Sequence, residues 1–109
     1  MSFGRLNTYL IQVANTDELV YTVSSNCKYA EIDIRILNSD VSNDATIEIA
    51  VATTVTPTSD EYIEKGAIVP RQGGILDEAG IIMSPDEIII VKSSVAGVAV
   101  RISGKEIIE

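Results

Sequence analysis

With 109 residues, one cysteine, no histidine and a formal charge of −8, the chain has room for one two-layer domain and cannot close an internal disulfide. Sixteen acids against eight bases repel phosphate backbones and anionic lipid, which excludes nucleic-acid and membrane-surface partners on electrostatic grounds. Without histidine the usual general base near neutral pH and the commonest neutral metal ligand are missing, so zinc centres and Ser/His or Cys/His nucleophiles are excluded too.

Seventeen Ile and eleven Val against five Leu bias the chain towards strands, because β-branched side chains pack well on a pleated surface. Turn signals cut the sequence into short extended pieces. Thr8 to Ala14 is the first, stopped by Asn15-Thr16-Asp17, and Glu18 to Ser24 is the second. Cys27 to Leu37 is the longest. Within it Ile32, Ile34 and Ile36 alternate with Glu31, Asp33 and Arg35, the period-two signature of a strand with one dry face and one wet face. It runs into a polar segment, residues 38–44, whose short side chains bond their own backbone.

Thr46 to Thr54 repeats the alternation, with Ile47, Ile49 and Val51 opposing Thr46, Glu48 and Ala50. Pro57 and its polar neighbours interrupt, since proline cannot donate to a central ladder. Tyr62 to Val69, Ile75 to Met83, Glu87 to Ser93 and Ala96 to Ile102 follow, the last with Val98, Val100 and Ile102 on one face before Gly104. Helical periodicity is absent. The pattern predicts an all-β fold, a single-domain antiparallel β-sandwich of jelly-roll type with about eight strands over residues 1–109. The polar stretch 1–7 is expected to be an N-terminal arm.

Few residues carry candidate chemistry. Cys27 reads as a small strand-start residue with Lys28 its only nearby cation. Asp77-Glu78 and Asp86-Glu87 are formal carboxylate pairs, but they sit in or beside turns and read as solvated surface. Asp40, Asn43 and Asp44, and again Ser59, Asp60 and Glu61, place hard oxygens close together as a calcium site requires. They lack the full spacing of a calcium loop and read as turn and capping residues. We expect no metal, no cofactor and no catalysis. Tyr9, Tyr21, Tyr29 and Tyr62 are the aromatics that a sugar-binding platform would need, and packing is the better reading of each.

Ile88, Ile89, Ile90 and Val91 are apolar on both faces, and the tail Glu106-Ile107-Ile108-Glu109 is rich in isoleucine. Ile88 to Val91 is either a central strand covered on both sides or an outer face that meets another subunit, and with Ile107 and Ile108 it gives the candidate contact surfaces of a homo-oligomer, expected to be a trimer. No apolar run approaches the ~20 residues of a membrane-spanning helix, and Met1 to Arg5 lacks the apolar core of a signal peptide. We therefore expect the chain to be made in a cytoplasm.

Several segments, in order, resemble one family. Tyr21-Thr22-Val23, then Cys27-Lys28-Tyr29-Ala30-Glu31-Ile32-Asp33-Ile34, are similar to the "YTVP…KYA" opening of small virion structural proteins of tailed bacteriophages. An Asn-containing turn at Leu37-Asn38-Ser39 and a strand at Ala45 to Val51 follow in the same order. Thr56-Pro57-Thr58-Ser59-Asp60-Glu61-Tyr62-Ile63-Glu64 resembles that group's "TPTDADYIEY". Gly73-Gly74-Ile75-Leu76 with Ala79-Gly80-Ile81-Ile82-Met83 resembles its "GVLERTGIVL". Pro85 to Ser94 resembles the strand ending in "IYVRSS". The resemblance spans residues 19 to 105 and departs at Ser24-Ser25-Asn26, where the family has Pro-Ala-Gly.

It implies a β-sandwich component of the phage particle. A capsid decoration or cement protein bound to the major capsid protein stands first, and a neck, tail, baseplate or fibre accessory protein second. A chain complete from Met1 to Glu109, without a fibre's attachment region and repetitive shaft, is part of that expectation. A carbohydrate- or host-surface-binding module and a calcium-dependent adhesion module are readings from other classes.

Overall fold

The computed structural model describes residues 2–108, with side chains from Arg5 to Ile108. It is an all-β sandwich of eight strands: β1 (Ser2–Leu10), β2 (Glu18–Thr22), β3 (Tyr29–Asn38), β4 (Ala45–Ala52), β5 (Tyr62–Val69), β6 (Gly74–Met83), β7 (Ile88–Ser93) and β8 (Ala99–Ile107). One 3-10 turn, Ser59–Glu61, lies in the β4–β5 connection. The first sheet runs β1-β8-β3-β6 and the second β2-β7-β4-β5, all pairs antiparallel. Pairing β1 with β8, β2 with β7, β3 with β6 and β4 with β5 describes one long antiparallel ribbon rolled up on itself, which is the jelly roll.

The core lies between the sheets, where the period-two pattern predicts it. β3 alternates exposed and buried along its whole length. Ile32, Ile34, Ile36, Ile47, Ile49, Val98, Val100 and Ile102 are buried, while Val51 is partly buried and packs against them. Each fully buried Ile or Val contributes about 1.5–3 kcal/mol through apolar area removed from water.

Four expectations need correction. Residues 2–7 are not an arm: they form the first part of β1 and pair with β8 from Ser2↔Glu106 to Asn7↔Ile102. Leu6 packs on the core and the Asn7 Nδ2 donates to the Val20 carbonyl across the sandwich at 2.6 Å, so this stretch is tied to the opposite sheet as well as to β8. Met1, the rest of the expected arm, lies outside the described residues. Leu10 ends β1, and Ile11 to Ala14 belongs to the connection.

The apolar run Ile88 to Val91 is interior on both faces, and so is no exposed contact strip. Ile89 and Val91 enter the main core, while Ile88 and Ile90 form a second buried cluster with Ala50 and Ala52, against which Tyr62 packs. Ile107 is partly buried, Ile108 is 45% exposed, and Glu109 lies outside the described residues.

Gly104 does not end its strand. It sits within β8 between Gly4 and Ile32, at φ 136°. A Cβ there would collide with the Glu31 carbonyl oxygen and stand 2.8 Å from the Ile32 Cα. Glycine is demanded by the close approach of a neighbouring backbone rather than by a turn.

All four edge strands carry a register shift in their ladders, whereas the central β3–β8 and β4–β7 ladders run without one. In β6 the shift sets Ala79 and Gly80 against Asp33. Gly80 takes φ 71°, and its N–H donates to the Asp33 carboxylate at 2.9 Å. Such bulges twist an edge away from further pairing.

Candidate docking face

Cross-strand partners share a face, so the ladders lay out the outer surface of the first sheet as rows. At one end Leu10, Ala99, Leu37 and Ile75 are successive partners across β1, β8, β3 and β6. Leu10 is 53%, Leu37 37% and Ile75 51% exposed, so this apolar row faces solvent over the full width of the sheet. The next row is Thr8, Arg101, Arg35 and Asp77. Further along, Lys105 reaches Glu31 at 3.7 Å across the β8–β3 ladder.

Arg35 donates through Nε and an NH2 group to the two Asp77 carboxylate oxygens at 2.8 and 3.0 Å. This fork holds the Asp77 carboxyl below its usual range and raises the guanidinium above its own. Two shallow hollows open on either side of the arginine row. One, of about 400 Å³, is lined by Asp33, Asp77, Glu78 and Ser103 together with Ile34 and Ala79. The other, of about 450 Å³, is lined by Leu10, Leu37 and Ala99 with Tyr9. Arg35 and Arg101 line both.

The connections that frame this face are held by buried or capping polar groups. Glu18 accepts from Tyr9 Oη at 2.8 Å and from the backbone N–H groups of Gln12 and Val13, closing the turn after β1. The burial of Glu18 works against its charge, but the donors prevail and its carboxyl lies below the ordinary range. At the end of β3 the buried Asn38 donates to the carbonyls of Asn43 and Val69 and accepts from the Asp40 N–H.

The acids considered for calcium each have at least one carboxylate oxygen engaged by local donors. The Asp40 carboxylate accepts from the Ser42 and Asn43 N–H groups at 2.8 and 2.9 Å, and Asp44 accepts from the backbone and Nε of Arg71. Both acids are held below their usual range by these donors. In the other loop Glu61 accepts from the N–H groups of Thr58 and Thr53, closing a capping box on the 3-10 turn. Among the described residues no group of three or more acids, cysteines or histidines converges.

Asp77 is the partner of Arg35, Asp86 takes φ 70° in the β6–β7 turn, and Glu87 accepts from the Ser84 N–H there. Glu78 faces Glu64 where the open edges of the two sheets meet. Burial, and then the neighbouring carboxyl, push Glu78 above its usual range. Cys27 is buried against the Ser24 carbonyl, and burial pushes its thiol up.

The four tyrosines form no platform. Tyr21 is buried and donates to Glu106, Tyr9 is tied to Glu18, and Tyr62 lies beneath Lys65 with the ammonium 4.0 Å from the ring centre. Tyr29 is exposed by 39% and stands apart at the start of β3.

The apolar row and its arginines were not singled out from the sequence. Their signal is a switch at one end of each alternating strand, where outward positions pass from Glu31, Asp33 and Arg35 to Leu37, and from Lys105, Ser103 and Arg101 to Ala99. It becomes legible only once β3 and β8 are known to be neighbours. No protein-family model matches the chain, and no curated protein sequence matches it.

Proposed function

We propose that this protein is a non-catalytic structural component of a bacteriophage particle, first of all a decoration or cement protein that seats on the head shell and stabilises it. The observation that carries the reading is the solvent-facing apolar row Leu10, Ala99, Leu37, Ile75, which crosses a whole sheet of a rigid jelly roll. Exposed apolar strips rimmed by polar groups mark protein contacts, and the hollows beside this one are open rather than enclosing. The jelly roll is a recurrent architecture of viral shells, and the segment resemblance over residues 19 to 105 supports the same assignment. Repetition on a lattice, together with a homotrimer about a three-fold position, would add stability by mass action to a chain that has no disulfide.

The test is to purify particles of a phage carrying this gene, with and without it, and to image them. We expect the protein at regular positions on the expanded head. Particles lacking it should assemble and package but release their genome at a lower temperature. Attachment should survive about 1 M salt, where screening over ~3 Å removes exposed ion pairs but leaves apolar contact. Protein confined to the neck or tail would replace the decoration role by an accessory one. Purified particles without any of it would end the particle reading.

A further inference from the structure

The two outer faces of the sandwich each carry a row with two bases and one acid, but in a different order. On the second sheet Glu48 is central, with partners Lys65 and Lys92 on either side, 3.8 and 4.0 Å from its carboxylate. On the first sheet Asp77 stands at the far end and is taken by Arg35 in a two-point fork. Arg101 is left directly opposite another arginine, with Thr8 as its other partner. Among the described residues no carboxylate comes within ion-pair distance of Arg101, although the chain has sixteen acids for eight bases. The nearby Asp33 carboxylate, one oxygen of which accepts from the Gly80 N–H, lines the same hollow but stands beyond ion-pair distance. Like charges placed directly across a ladder oppose each other, and an incoming anion at Arg101 relieves that repulsion.

Beside this cation lies the apolar row, two residues further along each strand, a step of about 6.5–7 Å. An extended chain repeats its side chains on one face at the same step. We propose that the outer face of the first sheet holds an extended segment of a partner protein in which an acidic and an aliphatic residue stand two positions apart. The carboxylate sits on Arg101 and the aliphatic side chain on Leu10 and Leu37. The segment lies across the face rather than joining an edge, because all four edge ladders are bulged. A single exposed contact of this kind is weak and gains strength when many copies engage one lattice. That the partner is a shell protein rests on the reading above; the binding chemistry does not.

The probe is the acetylated, amidated peptide GSDSLSG, titrated into isotope-labelled protein and followed by NMR, beside versions with Asn for Asp and Ser for Leu. We expect shifts at the methyls of Leu10, Leu37 and Ile75 and at the Arg101 guanidinium, with a dissociation constant of about 1 mM or above. The Asn peptide should bind about three- to fivefold more weakly, the range for an exposed but well-formed ion pair. Arg101→Gln should bind the two alike. Lys28→Gln, the same change of charge before β3 and remote from Leu37, should keep the preference.

Equal binding of the Asp and Asn peptides by the unaltered protein, shifts confined to the edges, or no shifts at about 10 mM peptide would overturn the proposal. Protein present on particles without this preference would sink the inference and leave the particle reading standing. The preference in a protein absent from particles would do the reverse.

Discussion

Ile36 and Ile75 differ by the face they occupy, and the same truncation at both measures the architecture directly. Ile36 is fully buried in β3 between its ladder partners Val100, which belongs to the core, and Leu76, which is partly buried and packs against it. Ile75, next to Leu76 on β6, is 51% exposed on the outer face. Ile36→Ala removes three carbons from the interior, about 2.4 kcal/mol at roughly 0.8 per methylene. The vacated space adds about 1–2 kcal/mol at roughly 24 cal/mol per Å³, because a sheet locked on both sides by ladders collapses little. The expected loss is about 3.4–4.4 kcal/mol, a large part of the ~5–15 kcal/mol that holds a domain of this size. It should lower the melting temperature by about 12 °C or more.

Ile75→Ala gives up part of an exposed contact and some strand propensity, about 1 kcal/mol or less. Guanidinium unfolding of both variants beside the parent, with slopes compared as well as midpoints, is the assay. Losses within about 1 kcal/mol of each other, or a larger loss at Ile75, would refute the assignment of faces and with it the docking row.

Gly104→Ala should destabilise the protein severely and fail to accumulate folded, since its Cβ would collide with the β3 backbone at Glu31 and Ile32; circular dichroism and proteolysis check this. Deleting residues 2–7 should expose the β8 ladder as a new edge and produce aggregation, visible as concentration-dependent light scattering, instead of trimming a free arm. Glu78 has a raised folded-state pKa, so its contribution is fully present below its unfolded value and lost as pH rises through the folded one. Glu78→Gln should therefore remove a decline in stability that the parent shows as pH rises above the ordinary glutamate range, measured as midpoint against pH. Asp40, Asp44 and Asp77 have lowered pKa values, so their contribution holds above the ordinary carboxylate range and is lost on acidification below about pH 4. Replacing Asp44 by Asn should flatten that acid limb.

The sandwich was legible because its inner faces are written locally. Ile32, Ile34 and Ile36, or Val98, Val100 and Ile102, announce a dry face without knowledge of their partners. What stayed hidden depends on partners. Gly104 has the appearance of a terminator until two neighbouring backbones are placed beside it. Residues 2–7 show little apolar alternation, and β8 is what recruits them into a ladder. The run Ile88 to Val91 has the composition of either a central strand or an exposed interface. Its interior placement is decided by β4 on one side, β2 on the other and a second cluster around Ala50 and Tyr62. The docking face is hidden for the same reason, since Arg101 is unremarkable until Arg35 is its neighbour and Asp77 is out of reach.

The edges bear on how such a protein can assemble. An open sandwich offers four edge strands, and strand addition is the least demanding way to join another chain. Here each of the four has a register shift, and the side-chain carboxylate of Asp33 is committed to holding the β6 bulge open. With the edges withdrawn, contact falls to the outer faces, and these are not equivalent. The second sheet has Glu48 between two lysines, with Ile88 and Ile90 buried and Ile68 exposed without an exposed apolar ladder partner beside it. The first presents an exposed apolar row beside an arginine without an acid. One face is thereby electrostatically closed and the other open, so on the proposed reading a partner would meet the molecule in a single orientation. A lattice of identical sites demands that of every copy it accepts.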